Sequence, residues 1–574
     1  MAQKKLLKNW WIITLLTLSV AGIILSVIGF SKIPTKGCLY ETARLFLLNV
    51  QFEENWQVDT TLIIGRWLIF IAFILFSFRI FIQIVTPKWW HSTKQYFPSS
   101  KRYLFVGAGK QAKILAQNLS EKSCRCIFLL PKEKVNDNAL FDELNDMGAV
   151  VLYANFENNT MTFPQKIDKY FFVEEDENSN MEMSVRLLKQ FGNAHIYVRT
   201  ESKQFYKHIK QYTNAEIHIF NQSDLTAGLF IKKYPMLDSP KIEIDHKKRL
   251  VKGEFNMLFL GFGWQGQELL KKCVCDSQFF GSTFRATIID KDLEIHYGDY
   301  AILFDECIKQ YNLLLKPETV GSTSFYEWIN IEIHNFNRIV IALGNDSVNI
   351  DTAEKIAEIL HKKGILDTQK IVFAHVQKLN SYSNDFVSFG KLADIYTKEI
   401  IVNEVEDEIA KMVNYVYIRY DKSLFEEFTE TDKENIKIKW KETTLFDKDS
   451  SRAVARNIEN LMKIADKNIS ELNNEELNII AENEHLRWNA FHFVNGIRKW
   501  KLNEINAHNA KLKDNNGNLL KHGCLVPFSE LDNISEKVRQ LGNVNEDYVE
   551  TDRRIVRHFP LFLKEVEQLK NKNQ

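Results

Sequence analysis

The sequence has no net charge to spend on a polyanion. Lysine plus arginine and aspartate plus glutamate number 74 each over 574 residues, so no overall basic field exists to gather nucleic acid, and none is expected as a partner. Cysteine is sparse and poorly spaced for chemistry. The seven residues are Cys38, Cys124, Cys126, Cys273, Cys275, Cys307 and Cys524. They include no C-x-x-C, and the two C-x-C pairs lack His or Cys partners at zinc spacing. No metal ligands are read from them. An odd count without such spacing fits a reducing compartment better than a disulfide framework. At this length two to four domains are expected.

The first ninety residues contain long stretches without charge. Asn9 to Phe30 is apolar and uncharged behind Lys4, Lys5 and Lys8, about the 20 residues a bilayer-spanning helix requires. A signal peptide would have a shorter apolar region and a small-x-small cleavage site, which is missing here. Leu62 to Val85 is a second run. Its Arg66 and Arg79 lie near the ends, where arginines snorkel to headgroups. Trp10, Trp11, Trp67, Trp89 and Trp90 sit where interfacial aromatics belong. Residues 1–90 therefore read as a two-span transmembrane domain in contact with membrane lipid. Basic residues precede the first span and, as Lys88, Lys94, Lys101 and Arg102, follow the second. The positive-inside rule then places both termini, and everything after about residue 90, in the cytoplasm. Between the spans, Leu39 to Asn49 has helical spacing. It is either a re-entrant pore helix, with Tyr40, Thr42 and Asn49 as candidate pore-loop residues, or an interfacial helix that fixes the hairpin. The T-V-G-Y-G-like run of potassium filters is absent.

The clearest chemical motif lies further on. Asn256–Leu260 is a short buried strand, Gly261-Phe262-Gly263-Trp264-Gln265-Gly266 follows it, and Gln267–Lys272 continues as helix. A second strand, Ala286–Ile289, ends in Asp290. Strand, G-x-G-x-x-G, helix, strand and acid is the order a dinucleotide site needs. Gly261 makes the turn, Gly263 lets backbone approach a pyrophosphate, and Gly266 lets helix and strand pack. The helix N-terminus presents free N–H groups to the phosphates, and Asp290 accepts from a ribose.

The unit occurs twice. Tyr103–Val106 precedes Gly107-Ala108-Gly109-Lys110-Gln111-Ala112, but the next strand runs through Leu130 into Pro131 with no carboxylate. Either this half takes a different nucleotide through Lys132, or it keeps the fold alone, the reading preferred here. Strands at 150–153, 169–173, 195–198 and 217–220 continue the first copy. Those at 338–343 and 370–375 continue the second, and a Lys- and Asp-rich segment, 239–254, separates the two. Such alternation indicates parallel sheets. These repeated units resemble the NAD-binding domains of Trk-type potassium transport regulators and potassium-conductance regulators. Asn221-Gln222-Ser223-Asp224-Leu225-Thr226-Ala227 is similar to a segment that follows the first such domain there. The resemblance covers about residues 100–425. It implies ligand-gated cytoplasmic modules that assemble as homo-oligomers, dimers or tetramers, with NAD or another adenine nucleotide as cofactor. Asp290 matches the family acid, and Leu130-Pro131 departs from it.

From about Leu445 the pattern turns helical. Glu484-His485-Leu486-Arg487-Trp488, Cys524-Leu525-Val526-Pro527-Phe528, and Asp552-Arg553 with Pro560 look like a ryanodine receptor repeat domain. In bacteria that module occurs fused to membrane and NAD-binding units, and the resemblance implies a small, nucleotide-like ligand. Arg487, Trp488 and Arg553 are the candidate pocket. Glu484, Arg487, Trp488 and Phe491 share one helical face, where an aromatic beside an arginine can clamp a phosphate or base. The competing reading makes Trp488 and Phe491 core and Glu484–Arg487 an intrahelical ion pair.

The expected fold is a membrane α-helical hairpin plus α/β, with two cytoplasmic doubly wound parallel-sheet domains and a mostly α-helical terminal domain. The boundaries are 1–90, 98–238, 250–430 and 440–565. A dehydrogenase would need an acid or base beside the nicotinamide. His334 and His375 form no paired constellation, so no catalytic residues are assigned and no enzyme is expected. The reading is a ligand-gated ion channel or conductance regulator of the bacterial inner membrane. The alternative is a membrane-anchored sensor or effector in stress or phage defence that perturbs the membrane without a selective pore.

Overall fold

The computed structural model describes residues 2–33, 37–46, 59–85, 101–120, 124–157, 162–164, 166–209, 212, 215–379, 383–419, 424–543 and 545–573. Asn49, Lys88, Trp89, Trp90 and Lys94 lie outside the described residues, as do the side chains of Lys4, Lys5, Lys8, Trp10, Trp11 and Arg79. The chain divides into two compact units, residues 1–100 with 136–153 and residues 101–135 with 154–574.

Helices α1 (Ala2–Ser31) and α3 (Thr60–Val85) contain segments long and apolar enough to cross a bilayer, Thr14–Ser31 and Thr60–Phe78. They meet along a seam of small residues. A Cβ on Gly22 would lie 2.8 Å from Ile69 Cγ1, one on Gly29 2.5 Å from Leu62 Cβ, and one on Gly65 2.5 Å from Ser26 Oγ. Gly22, Ser26 and Gly29 recur at i, i+4 and i+7, so they form one face. In lipid, where apolar burial drives little association, such close backbone packing holds helices together. The outward side chains, among them Leu16, Val20, Ile24, Trp67, Phe73 and Phe78, are exposed, an apolar surface of the kind a bilayer's hydrocarbon can cover. Between the two lies α2 (Cys38–Phe46). It buries Thr42 and Leu45 against the hairpin while Tyr40 is 62% exposed, so the two described pore-loop candidates are separated by burial.

Past residue 100 the sequence alternates short β-branched or aromatic runs with helices, and each run becomes a strand. The first sheet comprises β1 (Lys101–Val106), β2 (Cys124–Pro131), β3 (Val150–Ala154), β4 (Lys169–Phe172), β5 (His195–Arg199) and β6 (Glu216–Phe220), in the order β3-β2-β1-β4-β5-β6. Helices α4 (Lys110–Leu119), α5 (Glu177–Gln190) and α6 (Gln222–Lys233) accompany it. The second sheet comprises β7 (Glu254–Leu260), β8 (Thr283–Ile289), β9 (Leu313–Lys316), β10 (Arg338–Ile341), β11 (Val372–His375) and β12 (Val387–Phe389), in the equivalent order β9-β8-β7-β10-β11-β12. Its pairings are all parallel. This is the doubly wound order, with ligand crevices at the carboxyl ends of the first and fourth strands, where the order reverses. The 239–254 segment is not a bare linker, since Glu243–Asp245 pairs antiparallel with Leu250–Lys252.

The remaining chain is helical: α7 (Trp264–Cys275) and α8 (Asp346–Lys362) belong to the second copy. They are followed by α9 (Glu408–Ile418), α10 (Glu430–Glu442), α11 (Leu445–Ala465), α12 (Asn474–Val494), α13 (Leu531–Gln540), α14 (Tyr548–Arg557) and α15 (Phe559–Asn573). A three-stranded sheet, Arg498–Lys499, Leu519–His522 and Lys511–Lys513, sits among them. One core runs from Phe255 and Leu270 through Val413 into Val454, Ile458, Ile480 and Ile555. The terminal helices thus share the second copy's core.

Candidate functional site

The two glycine loops begin identically. Gly107 N–H donates to the Leu129 carbonyl and Gly261 N–H to the Ile289 carbonyl, each at 2.9 Å. Leu130 and Asp290 therefore hold equivalent places. A buried asparagine marks the repeat again. Asn180 Oδ1 accepts from Glu174 N at 2.9 Å and Asn349 Oδ1 from Leu343 N at 2.8 Å. Their Nδ2 groups donate to the Arg199 and His375 carbonyls. By this register Glu174 is the counterpart of Leu343.

In the second copy the three glycines do different work. Gly261 has φ +101°, and a Cβ there would meet the Ala342 carbonyl oxygen at 2.2 Å. A Cβ on Gly266 would meet the Gly261 oxygen at 2.2 Å. Gly263, at φ −61°, is unstrained, and among the described residues a Cβ there would meet Tyr297 Oη at 4.0 Å and nothing nearer outside its chain neighbours. The space above Gly263 is open. It caps α7 and, being glycine, offers no side-chain cap to the helix's first N–H groups, the kind of donors an anion can take. Asp290 braces the loop: Oδ2 accepts from Phe262 N at 2.7 Å and Oδ1 from Asp292 N at 2.8 Å. A carboxylate has roughly four acceptor positions, so capacity for ribose hydroxyls remains. Trp264, 64% exposed, stands beside Gly263.

The first copy is arranged differently. Glu174 Oε1 accepts from Gly109 N at 2.6 Å, and a Cβ on Gly107 would lie 2.4 Å from the same carboxylate. The chain's own acid sits where a phosphate would. Burial pushes this carboxyl above its usual range, with the Gly109 amide opposing. Ala112, fully buried, replaces Gly266, so α4 carries a methyl where α7 has none. Lys132 is exposed in a 3₁₀ turn. The sequence signal for this closure is Glu174 itself, directly after the run 169–173, a strand later than the place where a ribose-binding acid is expected.

The terminal-domain candidates do not converge. Arg487 is fully buried and donates to Glu484 Oε1 at 2.7 Å and Oε2 at 2.9 Å. Trp488 packs among His485, His492 and His522. Arg553 donates to Asn478 Oδ1 at 2.6 Å. The guanidinium of Arg487 is thus an interior ion pair. His375 is buried and pushed down to about 4 by desolvation, while His334 is exposed. A cavity of about 150 Å³ opens among Glu201, Asp224, Lys271, Lys272, Arg452 and Arg456. Lys272 is paired with Asp224 at 2.5 Å, Lys271 with Glu268 at 2.7 Å and Arg452 with Asp407 at 2.6 Å, so its charge is neutralised internally.

No family model matches the chain, and no curated protein matches it. Among solved structures the chain is similar to GsuK bound to ADP, at 12% identity over 70% of this chain and 99% of that one, with a TM-score of 0.35. It is also similar to the GsuK channel bound to NAD, at 12% identity over 70% of this chain and 85% of that one, with a TM-score of 0.37.

Proposed function

We propose that this protein is a ligand-gated ion channel or conductance regulator, with NAD or another adenine nucleotide bound at the second glycine loop. The observation that carries the reading is the contrast between the loops. In one chain with a lipid-facing hairpin, one loop is filled by Glu174 and the other stays open over Gly263. A pair of helices packed at a glycine seam encloses no pore, so a pore needs several copies, a homodimer or homotetramer. The hairpin lies in a bacterial inner membrane with both termini cytoplasmic. A small nucleotide-like ligand acts on the terminal helices, and the protein binds its ligands without transforming them.

Reconstitution in liposomes tests this. Potassium and sodium flux is measured with NAD, ADP or ATP added, for the wild type and for Gly263→Val. Flux that responds to a nucleotide in the wild type alone is the expected result. Flux indifferent to every nucleotide, or none at all, refutes gating at this loop.

A further inference from the structure

Strands β5 and β6 gather metal-ligating side chains at their amino-terminal ends, opposite the edge that carries the glycine loop. His195 is in register with Glu216 and Tyr197 with His218, and alternate residues share a face of the sheet. His195 Nδ1 lies 3.4 Å from Glu216 Oε2, and His218 Nε2 lies 3.5 Å from Glu216 Oε1. One donor atom from each of the three falls within 4.8 Å of the others. A tetrahedral site with bonds of about 2.0–2.2 Å has ligand atoms roughly 3.3–3.6 Å apart. Each imidazole already stands at that distance from one of the two Glu216 oxygens, and the three donor atoms, within 4.8 Å of one another, must draw together on a single ion.

The far nitrogens of both rings are held. His218 Nδ1 donates to Glu404 Oε1 at 2.6 Å, and His195 Nε2 lies 3.0 Å from Tyr197 Oη. A carboxylate or hydroxyl on the outer nitrogen is how metal-binding imidazoles are oriented. It directs His218 Nε2 at Glu216, whose Oε1 at 3.5 Å is an ion-pair contact too long and poorly aimed for a hydrogen bond. A cation between the two rings would replace that loose contact with direct bonds to both imidazoles and the carboxylate. Two cations stand nearby. Lys169 donates to Tyr197 Oη at 2.8 Å, on the outer side of His195. Lys441, 69% exposed, lies 3.7 Å from Glu216 Oε1 and is free to swing away.

We propose that His195, Glu216 and His218 bind a divalent transition-metal cation of the zinc type, with the remaining coordination open to solvent beside Glu216. Two imidazoles and one carboxylate suit zinc, cobalt or iron(II) and are poor ligands for calcium or magnesium, which take oxygen. The site would also reach beyond the first sheet. Glu404 follows the second copy and Lys441 belongs to α10, so an ion here ties both elements to β6.

The test uses the full-length, tag-free protein in detergent, titrated with zinc chloride by calorimetry and with cobalt(II) by absorption spectroscopy. The wild type should bind zinc and develop the d–d bands of four-coordinate cobalt, undisturbed by excess calcium or magnesium. Glu216→Gln, at a side chain 44% exposed and so compatible with the fold, should abolish the bands. Glu404→Gln should weaken binding about 10- to 100-fold, and Lys441→Ala should leave it equal or tighter. Matching melting temperatures would show that the variants are folded. Identical zinc binding in the wild type, Glu216→Gln and His218→Ala would overturn the proposal, as would displacement of zinc by calcium.

Discussion

The Glu174 carboxylate accepts a hydrogen bond from the Gly109 amide at 2.6 Å, in the place that Leu343 holds in the second copy. An ionised Glu174 would repel a phosphate about 4 Å away by roughly 4 kcal/mol at an effective dielectric of 20. The wild type should therefore bind a single nucleotide per chain. Glu174→Ala frees the Gly109 amide and should add a second, weaker site, because Leu130 still offers no ribose acceptor. Calorimetric stoichiometry on both proteins checks this, and two equal sites in the wild type would refute the closed loop.

The glycines of the open loop predict opposite failures. Gly263→Ala adds a methyl to empty space at φ −61°. It should leave the melting temperature unchanged yet weaken nucleotide binding, since on the proposed function that space is where a pyrophosphate would approach. Gly261→Ala forces a side chain to φ +101° and into the Ala342 carbonyl, so it should destabilise the domain first. Thermal melts with and without nucleotide separate the two.

The hairpin predicts a packing defect. Gly65→Leu would push a side chain into Ser26, whose Oγ already lies 2.5 Å from an added Cβ. The seam should open, and the melting temperature of the protein in detergent should fall. An unchanged melt would mean that the helices do not associate through this face.

Periodicity and glycine spacing were enough to read the sheets, because a buried parallel strand is a nearly continuous apolar run and the loops need glycine at fixed positions. The strands Leu313–Lys316 and Val387–Phe389 were not legible, since only three apolar residues in the first and two in the second mark them off from the surrounding chain. The first loop's closure was not legible either, since Glu174 is distant in sequence from Gly109 and only the strand order brings them together. The same holds for His195 and Glu216, which a zinc-spacing search cannot find across two strands. Arg487 was legible as a residue and not as a role: the helix face that suits a clamp also suits a buried pair, and only packing decides.

The terminal helices carry a pH-dependent pair. His485 Nδ1 lies 3.0 Å from Asp552 Oδ2, and Nε2 lies 2.8 Å from the Val526 carbonyl, so both nitrogens donate and the ring is an imidazolium. Burial lowers its affinity for the proton, but Asp552 and Val526 more than offset this and raise it above its usual value. A raised folded-state value means that the stabilisation is complete below the unfolded value near 6.5 and is lost as pH climbs through the folded one. Melting temperature should fall between neutral and alkaline pH, and Asp552→Ala should cost about 3–5 kcal/mol at pH 6 by stranding a buried charge. A flat profile would deny the pair this role.

Helix α7 joins the open loop to the terminal helices. Gly263 lies at its start, and Asp276 caps its other end, roughly 18 Å away at 1.5 Å per residue. Asp276 is buried, and its Oδ2 accepts from Arg456 Nε of α11 at 3.3 Å. An acid at a helix C-terminus is unfavourable, so Arg456 offsets two penalties at once, the dipole and the burial. A ligand that shifts α7 at one end must therefore move or strain this pair at the other. Deleting residues 440–574 would not test this, because Val454, Ile458 and Ile480 belong to the same core as Phe255 and Leu270, and the cut would unfold both. Point substitution does. Arg456→Gln alone strands the carboxylate and should destabilise the protein by about 3–5 kcal/mol. Adding Asp276→Asn should restore most of that stability, since two neutral amides can bond each other. The double variant should still bind nucleotide, with an affinity shifted by the lost coupling, typically 5- to 150-fold. In liposomes its ion flux should no longer respond to nucleotide. Flux still gated normally in that folded, nucleotide-binding protein would show that the signal leaves the loop by another route.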